Sequence, residues 1–327
     1  SRGLGDVYKR QAYGFSAVLS RRKVTGEWLY ELYQNGSAKC LFEREGSKRP
    51  VLNDGITLTN TEKNKFETYA DDFEGNETSL FLTEMNRGKK YSTRSKLLFF
   101  RDVYDWIQNH ISIITPDTPL IDLEYYYDDN SLKLINKLIK TFDTGISQVK
   151  IEEITLDELS NALPKSVFDK MMQHVKNRME EQEEPSFRMT MRSKETFFNI
   201  EVEGHSEPKV TTIRLHHNKS FYEFGFDEES DGTRRLFDLM DMLLNKREDV
   251  LYVVDELERS LHPKLTERFL QLFMQLHDEQ RMQLLFTTHE SSIMDQAIFR
   301  RDEIWFVERN AENASCLLYT SPSPRDA

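Results

Sequence analysis

Asp255 and Glu256 close a short β-branched and aromatic run, Val250-Leu-Tyr-Val-Val254, and Thr287-Thr-His289 follows further along. A run of this kind that stops at two carboxylates predicts a buried parallel strand delivering both acids to its C-terminal edge. Ligands of open α/β sheets collect at that edge. Paired acids there suit nucleoside triphosphate hydrolysis: one carboxylate holds the hydration shell of Mg²⁺, and its neighbour orients or deprotonates the attacking water. The same pair also fits a core strand that ends in solvated acids, so the surrounding elements must decide.

Upstream, Glu229-Ser-Asp-Gly-Thr233 opens a segment with Leu236, Leu239, Met240, Leu243 and Leu244 at helical spacing. Ser230 suits an N-cap, and Gly232 allows close approach of a ligand to the backbone. The free amides and positive dipole end of such a helix face a phosphate well, although Ser-x-Gly also serves as a plain cap. Beyond the acids, Leu265, Phe269, Leu272, Phe273 and Leu276 mark an amphipathic helix. Met282-Gln-Leu-Leu-Phe-Thr-Thr288 then predicts a buried strand ending at His289, a short helical segment spans Ile293 to Phe299, and Arg301-Asp-Glu-Ile-Trp-Phe-Val307 predicts a further strand. Helix, acidic strand, helix, His-ended strand, helix, strand is a parallel α/β order. A histidine beside the acidic strand could bond a γ-phosphate oxygen.

Taken together these motifs resemble the ABC-type ATPases grouped with the OLD-like and AAA family ATP-binding proteins of bacteria and archaea. Asp255-Glu-Leu-Glu-Arg-Ser-Leu-His-Pro263 is similar to their Walker B and D-loop, Glu229–Thr233 to their signature, Thr287-Thr-His-Glu290 to their switch histidine, and Arg301–Val307 to their last sheet strand. Tyr13-Gly-Phe15 and Glu27-Trp-Leu-Tyr-Glu31 carry the resemblance more weakly. It implies an α/β P-loop NTPase (ABC-ATPase-like) core with a β-rich N-terminal part and a helical insertion. It further implies ATP as substrate, Mg²⁺ supported through water by Asp255, and Glu256 as general base. Ser230, Gly232 and Thr233 would meet the γ-phosphate of a nucleotide held by the opposite subunit of a homodimer, and His289 would sense it. Ser260, Leu261 and His262 would line the dimer seam, although the family has small residues where Leu261 and His262 stand, which favours a structural role for His262. An antiphage or other nucleic-acid-directed effector, such as a nuclease, is the implied partner.

The family's phosphate-cradling Gly-x-x-x-x-Gly-Lys-Ser/Thr loop has no counterpart here. The only Gly-Lys pair, Gly88-Lys89, is followed by Lys90, with Thr83 where the first glycine belongs. Residues 1–11 and 316–327 resemble adapter-derived sequence, which leaves Ala12 to Ser315 as the expected protein, truncated at both ends. Within it, 12–85 is expected as the β-rich part of the ATPase lobe, 86–196 as a mainly helical insertion lobe, and 197–315 as the core half bearing the motifs.

Composition narrows the classes further. Charged residues make up 31% and hydrophobic ones 38%, yet 21 Phe and 13 Tyr argue against wholesale disorder. No apolar run approaches the roughly 20 residues of a membrane span. The Cys count of 2, with Cys316 in the suspect tail, excludes a disulfide framework and fits a reducing cytoplasm. A net charge of −12 opposes wrapping of nucleic acid by the whole surface. Arg87-Gly-Lys-Lys-Tyr-Ser-Thr-Arg-Ser-Lys96 concentrates positive charge around one tyrosine, and reads first as a solvated, mobile loop and second as a basic groove; Arg188 to Lys194 calls for the same caution. His216 and His217, adjacent on a strand, point to opposite faces and predict surface residues near a turn, not a shared metal.

Two other classes fit the same motifs. In one, ATP clamps a dimer without being hydrolysed. In the other, Asp255 and Glu256 serve a metal-dependent nuclease, which needs more acids at the edge, Glu258 and Glu290 being the nearby candidates.

Overall fold

Alternation of apolar and polar residues over 12–58 becomes a four-stranded antiparallel sheet in chain order: β1 (Arg10–Val18), β2 (Lys23–Leu32), β3 (Ala38–Glu45) and β4 (Val51–Leu52). The computed structural model describes residues 10–116, 129–181, 183–192, 197–218, 220–244, 247–277, 281–294, 298–309 and 315–318. They divide into two units, Ser1–Ile111 and Ser112–Ala327.

In the first unit the β2–β3 hairpin turns at Asn35-Gly36, where Gly36 takes φ +80° and the Asn35 side-chain oxygen accepts from the Ser37 amide. Such a left-handed position suits glycine because it carries no Cβ. Gly14 stands opposite Trp28 across β1 and β2, and a Cβ there would lie 2.7 Å from the indole ring. Three helices follow, α1 (Asn60–Phe73), α2 (Phe81–Asn86) and α3 (Leu98–His110). The core they close over the sheet is aromatic: Phe81 meets Phe66 and Phe100 edge-on, and Phe42 packs on Phe100.

A carboxylate lies inside that core. Glu27 of β2 is 0% exposed, and its oxygens accept from the amides of Phe81 (2.7 Å) and Leu82 (2.9 Å) and from the Tyr13 hydroxyl (2.9 Å). It therefore caps α2 from another element, supplying acceptors that Leu80 at the N-cap cannot. Arg44, also buried, lies 3.5 Å away and donates to the carbonyls of Asn76 and Ser79. Burial pushes the Glu27 carboxyl above its ordinary range, against the pull of these donors and Arg44.

The second unit begins with β5 (Ile111–Ile114), which enters it from the boundary, and continues through α4 (Asp129–Ile139), β6 (Ile146–Ile154), α5 (Leu156–Ala162), α6 (Lys165–Glu180), β7 (Ser186–Arg192), β8 (Phe197–Glu203), β9 (Lys209–His217), β10 (Glu223–Gly225), α7 (Asp231–Leu244), β11 (Leu251–Val254), α8 (Pro263–His277), β12 (Gln283–Phe286), β13 (Phe306–Arg309) and β14 (Ser315–Leu318). Strands β6 to β10 form one antiparallel sheet, and β12-β11-β5 form a second in which β11 and β12 run parallel. One apolar cluster gathers α4, α7 and α8 around Tyr252 and Val254 of β11. Another seats α5 and α6 on β7, β8 and β9. No helix among the described residues is long and apolar enough to cross a membrane.

The stretch 86–196 contributes strands as well as helices, because β6 and β7 pair with β9 and β8. The strand expected over Arg301–Val307 differs more. It opens as a 3-10 turn over Arg301–Glu303, and its extended part, β13, pairs antiparallel with β14; among the described residues it is not a member of the parallel sheet. The following segment captures its edge locally. Of the helical segment expected over Ile293–Phe299, only a 3-10 turn, Ser291–Ile293, lies within the described residues; 295–297 lie outside them. At the ends, Arg10 and Gln11 continue β1 and residues 316–318 lie in β14, while 1–9 and 319–327 are outside the described residues.

Helix α1 carries a measurable electrostatic anchor. Its N-cap Thr59 and Glu62 form a capping box, and Glu62 also receives the Ser95 hydroxyl and the Lys96 amide. These donors, the Thr59 amide foremost, hold the Glu62 carboxyl down at about 2. A depressed carboxyl contributes stability above its unfolded value of about 4.3 and loses it as pH falls through the folded value. We predict that Glu62→Ala costs about 1 kcal/mol at pH 7. In urea unfolding the gap from the parent should narrow between about pH 4 and about pH 2; a gap independent of pH would contradict this.

Candidate functional site

Strand β11 is short, with Tyr252 and Val254 buried and Val250 buried just before it, so the chain leaves the core abruptly at Asp255. The Asp255 amide donates to Ile114 O of β5 at 2.9 Å. On the other side Thr287, just past β12, ties both acids at once. Its hydroxyl donates to Asp255 Oδ1 (2.6 Å) and accepts from the Glu256 amide (2.9 Å). Its own amide donates to Val254 O, and its carbonyl accepts from Leu257.

Glu256 adopts φ +48°, a left-handed backbone that non-glycine residues adopt at a cost and that clusters at functional sites. The turn leaves its carboxylate half-exposed, with His289 Nε2 3.9 Å from Oε1 and Arg259 3.9 Å from Oε2. The His289 side chain is 87% exposed, while its amide donates to Glu258 Oε1 at 2.7 Å. The structure thus brings Asp255, Glu256 and His289 to one edge.

The D-loop segment turns again at Ser260, φ +64°. Here one expectation needs correction, and the structural role favoured for His262 is met. Leu261 is not at an outer seam: its side chain is buried in this chain's own core. His262 caps α8, its carbonyl accepting from Leu265 and its ring nitrogen from the Lys264 amide, with Pro263 at the first helical position. Ser260 stays exposed.

Ser230 is exposed and caps α7, its hydroxyl accepting from the Thr233 amide at 3.1 Å. Thr233 is buried beneath it, its own hydroxyl 3.0 Å from that of Ser230, and so does not face outward as a phosphate contact would. The close approach that Gly232 permits is to the chain itself: a Cβ there would sit 2.6 Å from Ser260 O. The turn at Gly232 thus lies too close to the Ser260 carbonyl to admit a side chain.

Sequence reasoning missed the support behind this turn. Glu229, buried, bonds to His217 Nε2 at 2.7 Å, and His216 Nδ1 lies 2.9 Å from the Ser147 hydroxyl. Both histidines are half-buried and engaged, in place of the surface pair expected near a turn. An acid placed just before an N-cap serine was the available signal.

The oxygen donors at the edge fit a hydrated Mg²⁺ held through one or two carboxylates and substrate phosphates. They do not fit an all-protein metal cage: among the described residues no three His, Cys, Asp or Glu side chains converge to hold an ion. Glu258 is turned onto the His289 amide, and Glu290 accepts from the Ser292 amide, which holds its carboxyl below the usual range. Each is thus engaged through one oxygen, and neither joins Asp255 and Glu256 in a cluster that could hold an ion among the described residues.

A family model described as "AAA domain, putative AbiEii toxin, Type IV TA system" matches residues 4–295. No curated protein matches the chain. Among solved structures, the crystal structure of the SmcHead bound to the C-winged helix domain of ScpA is similar over 94% of this chain and 73% of that one, at 11% identity and a TM-score of 0.33.

The Gly232 contact is open to a direct test. Gly232→Ala should destabilise by about 1–3 kcal/mol, because the obstructing atom is a backbone carbonyl. Amide NMR shifts should move at Ser260 and Leu261; an unchanged or raised urea midpoint would refute the contact.

Proposed function

Because the chain belongs to the AAA-domain family of that description, we propose that the edge built from Asp255, Glu256, Thr287 and His289 is the hydrolytic half of an ATPase site. Its fold is the α/β P-loop NTPase class expected from the sequence. The observation that carries the reading is the Thr287 hydroxyl joining Asp255 to the Glu256 amide, with His289 beside Glu256. Mg²⁺, bound with ATP, would neutralise charge on the phosphates, and Asp255 would hold its water shell. Glu256, half-exposed and fixed by its left-handed turn, would position the attacking water and take its proton. His289, highly exposed, would bond the γ-phosphate. Positioning and electrostatics dominate phosphoryl transfer, so fixed donors at this edge matter more than any covalent step.

In this reading Ser230 and the turn at Gly232 face a nucleotide held by a second copy of the chain, in a head-to-head homodimer. The dimer's opening and closing would gate an effector, of the antiphage or nucleic-acid-directed kind. The OLD-like subgroup and a cytoplasmic setting are part of the same proposal. Residues 1–327 contain no Gly-x-x-x-x-Gly-Lys-Ser/Thr loop.

The test uses the complete gene product. Glu256→Gln should lower ATP turnover by about 10²-fold or more while retaining an ATP-dependent dimer in size-exclusion chromatography. Turnover at the parental rate would reject Glu256 as base. Unaltered effector control with turnover abolished would favour the clamp that does not hydrolyse. Substantial hydrolysis by the 327-residue chain alone would show the missing loop to be dispensable.

A further inference from the structure

The loop joining α2 to α3, residues 87–97, is pinned rather than loose. The Tyr91 hydroxyl donates to Met85 O (2.6 Å), Lys65 Nζ to Lys90 O (2.9 Å), Arg101 to Lys89 O (2.5 Å) and the Ser95 hydroxyl to Glu62 (2.8 Å). These ties contradict the solvated, mobile loop expected from its composition. They also gather cations. Lys65 Nζ lies 4.4 Å and the Arg101 guanidinium 5.8 Å from the Tyr91 ring centroid, and Lys89 Nζ lies 3.8 Å from that of Tyr69.

Lys89, Lys90, Tyr91, Leu98 and Arg101 line an open recess of about 550 Å³, within the roughly 300–1,000 Å³ range of ligand sites. Three carboxylates moderate the recess and its loop: Glu84 pairs with Lys89, Asp105 lies 3.6 Å from Arg101, and Glu62 accepts from the Ser95 hydroxyl and the Lys96 amide. Lys90 lines the recess exposed, and the exposed cations Arg87, Arg94 and Lys96 extend the positive surface along the same loop. None of these four has an ion-pair partner among the described residues. In a chain of net charge −12, such crowding costs free energy that an anion would offset. Burial and the neighbouring Lys89 and Arg101 hold the Lys65 ammonium below the usual lysine range, which reports the same crowding.

We propose that this recess and its flanking loop bind consecutive phosphates of a single nucleic-acid strand, without reading its bases. Consecutive phosphates match cations that continue past the recess, whereas one phosphate would occupy the recess alone. The tyrosine is buttressed by Lys65 and Arg101 and is not left open as a stacking platform, so backbone charge supplies the recognition. These residues belong to the first unit and the Asp255 edge to the second, so binding here is tested without ATP.

The probe is a fluorescein-labelled oligothymidylate, titrated with the purified 327-residue chain in anisotropy without ATP. Lys90→Glu with Arg94→Glu should weaken binding about tenfold or more at low salt and reduce the salt slope by about 1 to 1.5. Lys137→Glu with Lys140→Glu, which makes the same change in total charge on exposed lysines of the second unit, should change affinity less than about twofold. The milder Lys90→Ala with Arg94→Ala should fall in the same direction as the reversal, which guards against misfolding. Oligodeoxyadenylate of equal length should bind within about threefold of oligothymidylate. Equal losses in both charge-reversal pairs, no loss in either, or no binding at all would overturn the site. Inorganic tripolyphosphate displacing the strand at equal phosphate concentration would overturn the strand in favour of a free polyphosphate.

Discussion

A threonine hydroxyl that donates to Asp255 and accepts from the Glu256 amide ties the side chain of one acid and the backbone of the other to the end of the neighbouring strand. The register of β11 and β12 ends at Val254 and Phe286, and just past it the Thr287 amide bonds to Val254 O and the Leu257 amide to Thr287 O, on either side of the two acids. Without Thr287, Asp255 would retain only its amide bond to β5, and the left-handed turn at Glu256 would lose the acceptor that fixes its amide. A hydrogen bond to an ionised carboxylate contributes about 1.5–3 kcal/mol, enough to hold one rotamer and offset a strained φ. The geometry of the edge thus depends on one small polar side chain more than on the acids themselves.

Behind that edge, polar groups are used to join elements. Glu229 is held by His217, so the turn before α7 is fixed to the antiparallel sheet through β9. The first unit repeats the device on a larger scale, with Glu27 of β2 buried to receive the first amides of α2. In both cases an apolar contact would give comparable burial but no direction. Hydrogen bonds to a carboxylate set orientation as well as distance.

Local pattern made the motif-bearing elements legible, though not all of their burial: the strand ending before His289, expected buried, is half-exposed with Leu285 outward, and Leu276 is exposed. The β-branched run before Asp255 became β11, Ser230 became an N-cap, and the apolar spacing from Leu265 to Phe273 became the buried face of α8. Features set by distant residues were not legible. Glu27 lies on the same strand face as Leu29, yet the amides that satisfy it come from residues 54 and 55 positions away. Gly232 was readable as a close-approach residue, but not that Ser260 is what approaches. Leu261 was misplaced because a motif specifies positions along the chain, while burial decides which way a side chain turns. The strand after Arg301 failed similarly: its composition permits a strand, and pairing with Ser315–Leu318 selects the partner.

Glycine at position 232 lets two loops remote in sequence lie close together, since any side chain there would collide with the Ser260 carbonyl. Growth at that one position would wedge the mouth of α7 away from the Ser260 turn, so the spacing between them is set by the absence of a single carbon.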